Sequence, residues 1–316
     1  MKSIVFVSTS PYGDYNHSLK DALRPFETHY NTSGKEYPKI SLIEKVKRIN
    51  PEYIIAGVEK YDKEVLDLCP NLKLIARVGI GLNSVDIEEC KRRGIAVTYT
   101  PDAPSNAVAE LTIGQILLGI RFVPTADKII RKGGWERYIG KELSNVKVGL
   151  IGFGRIGKLV YDKIKRLGAK EIMVNDIDKN QFRNNSELMI ASKEEILKNC
   201  DVISLHIPLE DETIDFIKKD DFQKMKPDAI LINNSRGKIV NEQDLYAWLH
   251  TNERAFAALD TFKTEPYVGP LSNLNNIFLT AHMGSCSMKS RNDMESGALA
   301  EVLNAINGKE FNNQVV

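Results

Sequence analysis

Val146-Lys147-Val148-Gly149-Leu150-Ile151 runs directly into Gly152-Phe153-Gly154-Arg155-Ile156-Gly157. The first six residues read as a buried strand. The stretch after them places Ile156, Leu159, Val160, Ile164 and Leu167 at helical spacing, and Gly168 ends it. A GxGxxG between a strand and a helix is the context in which this spacing binds a dinucleotide. Gly152 permits the tight turn, Gly154 lets a pyrophosphate approach the backbone, and Gly157 lets helix and strand pack closely. The amides at the helix start then face the phosphates. The next apolar run, Glu171–Asn175, leads to Asp176, nineteen residues beyond Gly157. A carboxylate there accepts the ribose hydroxyls of NAD and repels the 2′-phosphate of NADP, and no arginine directly follows it. The expected cofactor is NAD, with NADP the weaker alternative.

Outward from this turn, short apolar runs recur at Val202–His206, Ala229–Asn233, Ala255–Asp260 and Ile277–Thr280. Continuous runs of this kind suit strands covered on both faces. Helical patterns separate several of them. Ser192 and Glu195 form a capping box, and Asn241 opens the next helix with acids in its first turn. Strands alternating with helices predict an α/β fold with a parallel, doubly wound sheet. The first hundred residues repeat the grammar more faintly, with strands at Ile4–Ser8, Tyr53–Ala56, Lys73–Ala76 and Ile95–Thr98 and a helical pattern over Leu42–Ile49. After Pro101, the apolar segment Ala107–Ile120 reads as a helix crossing between two domains. The tail after His282 is helical, with Met294, Leu299, Val302 and Ile306 on its apolar side, and has no sheet of its own to join. It is expected to pack back on the first domain. The chain thus divides into a discontinuous domain of residues 1–99 with 283–316 and an inserted cofactor domain of residues 100–282.

Composition bounds the possibilities. At 316 residues and 42% hydrophobic, the chain suits two globular domains and is neither disordered, collagen-like nor a coiled coil. Forty-three basic against forty-two acidic residues leave a net charge of +1, which points away from nucleic acid. The longest apolar stretch, 111–123, is interrupted by Gln115 and Arg121, so no membrane span is expected. The four scattered cysteines form no CxxC pair and read as reduced thiols. The N-terminal apolar run is too short for a signal peptide. A cytoplasmic protein is expected.

Oxidising an alcohol with NAD requires a base for the hydroxyl proton and a cation for an anionic substrate. Of five histidines, His282 and His206 end predicted strands, where functional groups of such sheets collect. His206 is followed by Ile207-Pro208 and reads more as an edge turn. On position alone His282 serves equally well as a packed or surface histidine. Arg236 follows another strand end, and its planar fork can hold a carboxylate by two bonds or lie on the surface as a helix-end cation. Glu265 either holds a protonated imidazole or is a loop carboxylate in water.

With these residues placed, the chain resembles the D-isomer-specific 2-hydroxyacid dehydrogenase family, which includes phosphoglycerate dehydrogenase and glyoxylate reductase. The resemblance spans essentially the full length. It rests on Gly152–Gly157, Leu205-His206-Ile207-Pro208, Asn234-Ser235-Arg236-Gly237, Ala258–Phe262 through Glu265-Pro266, and His282-Met283-Gly284-Ser285. It implies an NAD-binding Rossmann domain inserted into a flavodoxin-like substrate domain. It further implies that Arg236 clamps a 2-oxoacid, that His282 donates a proton to the forming alkoxide, and that Glu265 keeps the imidazole charged. Asp260 matches a contact to the nicotinamide carboxamide. Arg155 and Ile156 match the pyrophosphate loop. His206, Pro208, Asn234, Ser235, Arg236, His282 and Gly284 fall on the cofactor side. In Arg77-Val78-Gly79-Ile80-Gly81, the amides of Val78 and Gly79 match the receivers of the substrate carboxylate.

Departures bear on substrate shape. Ala281 and Met283 stand where many relatives have Pro and Ile, and Pro104 and Tyr99 each stand where Asn is frequent. Glu265 argues against a formate dehydrogenase, which pairs its histidine with Gln. Phosphite oxidation and an NAD-sensing corepressor-like role keep the same residues. Relatives imply a homodimer, for which the Ala107–Ile120 helix offers an apolar surface.

Overall fold

The computed structural model describes residues 2–183 and 186–316. The chain forms two compact units, Met1–Pro104 with Cys286–Val316, and Ser105–Ser285.

In the first unit, β1 (Ile4–Val7), α1 (Ser18–Leu23), β2 (Glu27–Tyr30), α2 (Lys39–Ile49), β3 (Tyr53–Ala56), α3 (Lys63–Leu66), β4 (Leu74–Arg77), α4 (Ile87–Arg93) and β5 (Ala96–Thr98) alternate. The sheet is parallel with order β2-β1-β3-β4-β5, the flavodoxin-like arrangement. Alternate residues face opposite sides, as the period of a strand dictates. Phe6, Ile54, Ile75 and Val97 enter one core, and Val5, Val7, Ile55 and Leu74 the other.

The second unit opens with α5 (Ser105–Ile120) and α6 (Val123–Arg131). It continues through β6 (Lys147–Ile151), α7 (Arg155–Arg166), β7 (Glu171–Asn175), β8 (Met189–Ile190), α8 (Lys193–Asn199), β9 (Val202–Leu205), α9 (Lys219–Phe222), β10 (Ile230–Asn233), α10 (Glu242–Thr251), β11 (Phe256–Leu259) and β12 (Ile277–Leu279). Its seven strands lie parallel in the order β12-β11-β10-β9-β6-β7-β8. The order reverses between β6 and β9, the switch point at which such sheets bind ligands. Val148, Leu150, Ile232 and Ala258 pack with α5 and α7 on one face, while Ile203, Leu205, Leu231 and Leu259 build the core on the other.

The last helix, α11 (Met288–Ile306), returns to the first unit, where Met294, Ala298, Leu299 and Val302 join the core against β3 and β4. Beyond it, Gln314 pairs antiparallel with Thr98, so the tail does join a sheet edge. The apolar character of α5 has a different cause from the one expected. The helix is not a crossing. It lies wholly in the second unit, where Val108, Ala109, Ile116 and Ile120 are buried, and Leu117 stays exposed. Two strands have no signature in the sequence: β2, whose Glu-Thr-His-Tyr is polar, and the two-residue β8. Cys69, Cys90 and Cys200 are buried free thiols, each pushed up to about 12 by burial, and Cys286 is exposed. Among the described residues no single helix is long and apolar enough to cross a membrane.

Candidate functional site

Register places the site. Ile151 pairs with Leu205, Leu205 with Asn233, Asn233 with Leu259, and Leu259 with Leu279. Five neighbouring strands therefore end level, and the residues that follow them, Gly152, His206, Asn234, Asp260 and Thr280, emerge along one carboxyl edge.

At the switch point Gly152 adopts φ 96°, and a Cβ there would press on the His206 carbonyl. A Cβ on Gly157 would overlap the Gly152 carbonyl, so these two glycines are required by the turn itself. Gly154 differs: a Cβ there meets no protein atom within 4 Å, so the protein leaves that face of the turn open. Arg155 is exposed and Ile156 half-buried in the first turn of α7. Asp176 is no bare strand end. Its Oδ2 accepts from the Phe153 amide (2.6 Å) and its Oδ1 from the Asp178 amide (2.8 Å), tying β7 to the glycine turn. An open backbone face with a carboxylate beside it fits a dinucleotide carrying a free ribose diol.

The two strand-end histidines separate chemically. Burial pushes His206 down to about 4, so it is neutral at neutral pH, and its Nε2 lies 3.0 Å from Ser204 Oγ. Pro208 follows it in an exposed turn and accepts from Thr213 Oγ1. His282 is exposed, and its Nδ1 lies 2.8 Å from Glu265 Oε2. Burial works to raise Glu265. The bonds from His282 and the Phe262 amide, with the charges of His282 and Arg236, outweigh it and hold the carboxyl below its ordinary value. A depressed carboxyl adds stability above the ordinary carboxylate range and loses it as pH falls through the lowered value. Glu265 is therefore an anion at neutral pH, aimed at one ring nitrogen and leaving Nε2 for chemistry.

His282 sits at φ 49°, an uncommon conformation for a non-glycine residue. Asp260 holds it there. The Asp260 carbonyl accepts the His282 amide (2.8 Å). Its buried carboxylate accepts Thr280 Oγ1 (2.5 Å), the Met283 amide (2.8 Å) and the Gly284 amide (2.7 Å). The Asp260 side chain thus grips the histidine loop from both sides, and Thr280 is a site residue that no sequence motif marks.

Arg236 is half-buried, with its Nη1 on the Ser235 carbonyl (2.8 Å). Burial lowers the guanidinium from its ordinary value, and the Glu265 charge opposes this. Its loop is knitted by Asn233, which accepts from the Ser235 amide and hydroxyl and donates to the Arg236 carbonyl. Asn234 anchors the loop to α5 by donating to Thr112 Oγ1 (2.9 Å) and Gln115 Oε1 (2.7 Å). Asn233, Thr112 and Gln115 had no motif to announce them.

In the first unit, Arg77-Val78-Gly79 leaves the carboxyl end of β4. The Val78 amide donates to the Ala56 carbonyl (2.9 Å), and the Gly79 amide to Thr100 Oγ1 (2.8 Å). A carboxylate at either amide would have to exchange an existing bond.

Known proteins share this architecture. Residues 113–284 match the family model described as D-isomer specific 2-hydroxyacid dehydrogenase, NAD binding domain. The chain is 34% identical to a glyoxylate reductase of Pyrococcus furiosus over 85% of its length and 83% of the relative's. It is 36% identical to a glyoxylate reductase of Thermococcus litoralis, over 82% and 81%. A D-lactate dehydrogenase from Aquifex aeolicus, solved in complex with NAD and lactic acid, superposes with a TM-score of 0.84 at 27% identity, covering 99% of this chain and 98% of that one.

Proposed function

The chain belongs to the D-isomer-specific 2-hydroxyacid dehydrogenase family and is an NAD-dependent D-2-hydroxyacid dehydrogenase, and from that membership we propose that it interconverts a small 2-oxoacid and its D-2-hydroxyacid using Arg236, Glu265 and His282. The substrate class is glyoxylate, hydroxypyruvate and pyruvate. The names of the relatives, two glyoxylate reductases and a D-lactate dehydrogenase, support it. The observation that carries the residue assignment is the His282 Nδ1–Glu265 Oε2 contact on the strand edge that also presents Arg236.

When bound, NAD would supply or remove the hydride at C2 of the substrate. Gly152, Gly154, Gly157 and the first turn of α7 would hold its pyrophosphate and Asp176 its ribose. Arg236 orients the substrate by binding its carboxylate and 2-oxo oxygen, using the planar fork that suits such anions. In reduction, His282 Nε2 donates a proton to the 2-oxo oxygen as negative charge develops there. Glu265 holds the ring by Nδ1 and stabilises the imidazolium that donates. In oxidation the same nitrogen takes the proton back. General acid catalysis of this kind contributes about 10²–10⁴-fold from the proton transfer alone.

Oxidation of NADH by glyoxylate, hydroxypyruvate and pyruvate tests the reading, and silence with all three contradicts it. Asp176→Ala removes the ribose acceptor, so the NADH preference in kcat/KM narrows by at least tenfold. Equal use of NADH and NADPH by the unaltered enzyme would refute the role given to this carboxylate. The assembly we propose is a homodimer through the exposed apolar residues Leu117, Val123, Ile130, Trp135 and Ile139, since Trp135 and Ile139 are 79% and 89% exposed. Light scattering at micromolar concentration should return twice the 35.5 kDa chain mass, and a monomer contradicts it.

A further inference from the structure

We propose that Glu242 is a positioning residue for the reaction, acting on Glu265 through the Lys263 amide; the proposal rests on the reading of Glu265 and His282 as a working pair. Glu242 is the first residue of α10, and its Oε1 accepts the Lys263 amide at 2.7 Å, across twenty-one positions of sequence. The preceding amide, that of Phe262, donates to Glu265 Oε1 at 3.0 Å, and Glu265 Oε2 meets His282 Nδ1 at 2.8 Å. One continuous chain of bonds therefore leads from the start of α10 to the proton donor.

The segment in between is set from two further sides. A Cβ on Gly237 would overlap the Phe262 carbonyl and the Lys263 nitrogen, so the residue after Arg236 is the floor on which residues 262–263 rest. On the other side the Phe262 ring stacks on Tyr267 at 4.5 Å, and Tyr267 Oη accepts the Leu271 amide. Both contacts are fits of shape. Glu242 adds a charge-assisted bond with direction, which is stronger and shorter than a neutral one. It draws the Lys263 amide toward α10 and leaves the Phe262 amide turned to Glu265. Without it the Lys263 amide turns to water, residues 262–265 relax, and the carboxylate no longer faces Nδ1 squarely. Misplacement of this order at a catalytic group costs rate out of proportion to stability.

Glu242→Ala is expected to lower kcat for 2-oxoacid reduction about tenfold. NADH affinity by fluorescence quenching stays within twofold, as does KM for the 2-oxoacid. Glu242→Gln keeps an acceptor for the Lys263 amide and recovers most of the rate. Glu265→Gln, measured alongside, lowers kcat by more than Glu242→Ala does, since it removes the carboxylate at Nδ1 itself. In the Glu265→Gln background, Glu242→Ala has no further effect on kcat, since its route to the histidine is already cut.

If Glu265→Gln leaves kcat unchanged, the paired reading of Glu265 and His282 fails and takes this proposal with it. If Glu265→Gln lowers kcat but Glu242→Ala matches the unaltered enzyme, only the positioning role is overturned. That role also falls if Glu242→Gln is as impaired as Glu242→Ala, or if the two losses multiply in the double variant. Should Glu242→Ala not fold, Glu242→Ser, whose side chain is too short to reach the Lys263 amide, carries the same comparison alone and combined with Glu265→Gln.

Discussion

Replacing His282 with Asn lowers kcat for 2-oxoacid reduction by about 10²–10⁴-fold, the range for loss of a general acid. Asparagine is the informative choice because it tolerates the left-handed backbone at which His282 sits, φ 49°. The loop held by Asp260 through the Met283 and Gly284 amides then survives, and only the proton donor is lost. Affinity for NADH, read by fluorescence quenching, should change by less than about threefold. The alternative donor, His206, cannot compensate, since burial keeps it neutral at neutral pH. A variant retaining more than a tenth of the activity would show that the proton comes from elsewhere.

Arg236→Lys is expected to lower kcat/KM by roughly 10- to 100-fold, mostly through KM. The figure follows from losing one charge-assisted bond to the substrate, about 1.5–3 kcal/mol, at about 1.4 kcal/mol per decade. Lysine keeps the charge but presents a point donor where the guanidinium presents a fork. The loop itself should hold, because Asn233 and Asn234 secure it without the Arg236 side chain. Steady-state kinetics with glyoxylate measure the loss. A lysine variant within twofold of the unaltered enzyme would remove Arg236 from carboxylate binding.

What could be read in the chain before its structure follows from where the physics is local. The turn at Gly152–Gly157 lies between a strand and a helix contiguous with it, and Gly152 and Gly157 each answer a constraint within the motif or at the adjacent strand end. Strands buried on both faces announce themselves as apolar runs, so the strand-end residues Arg236, Asp260 and His282 could be placed on one edge. The elements missed have the opposite character. β2 is polar at the sheet edge, and β8 is too short for any periodicity. Thr280, Asn233 and Glu242 matter through bonds to backbone or side chains that only the folded register brings near. Asp260 also has a role the motif does not announce: its oxygens hold Thr280, Met283 and Gly284, which is visible only once the loop is closed. The bonds of the Val78 and Gly79 amides to the Ala56 carbonyl and Thr100 Oγ1 are likewise visible only in the fold. The helix α5 misled for a related reason: an apolar surface and an apolar core face look alike in sequence, and most of this one is core.

The reaction is hydride transfer from NADH to the face of C2 of a 2-oxoacid that gives the D-alcohol, with the proton delivered to the 2-oxo oxygen. Incubating the enzyme with pyruvate or hydroxypyruvate and NADH dideuterated at the nicotinamide C4, then resolving the product by mass and chirality, tests it in one measurement. The expected product is the D-2-hydroxyacid carrying a single deuterium at C2. An unlabelled C2, an L product, or NADH left unconsumed by every 2-oxoacid offered would contradict it.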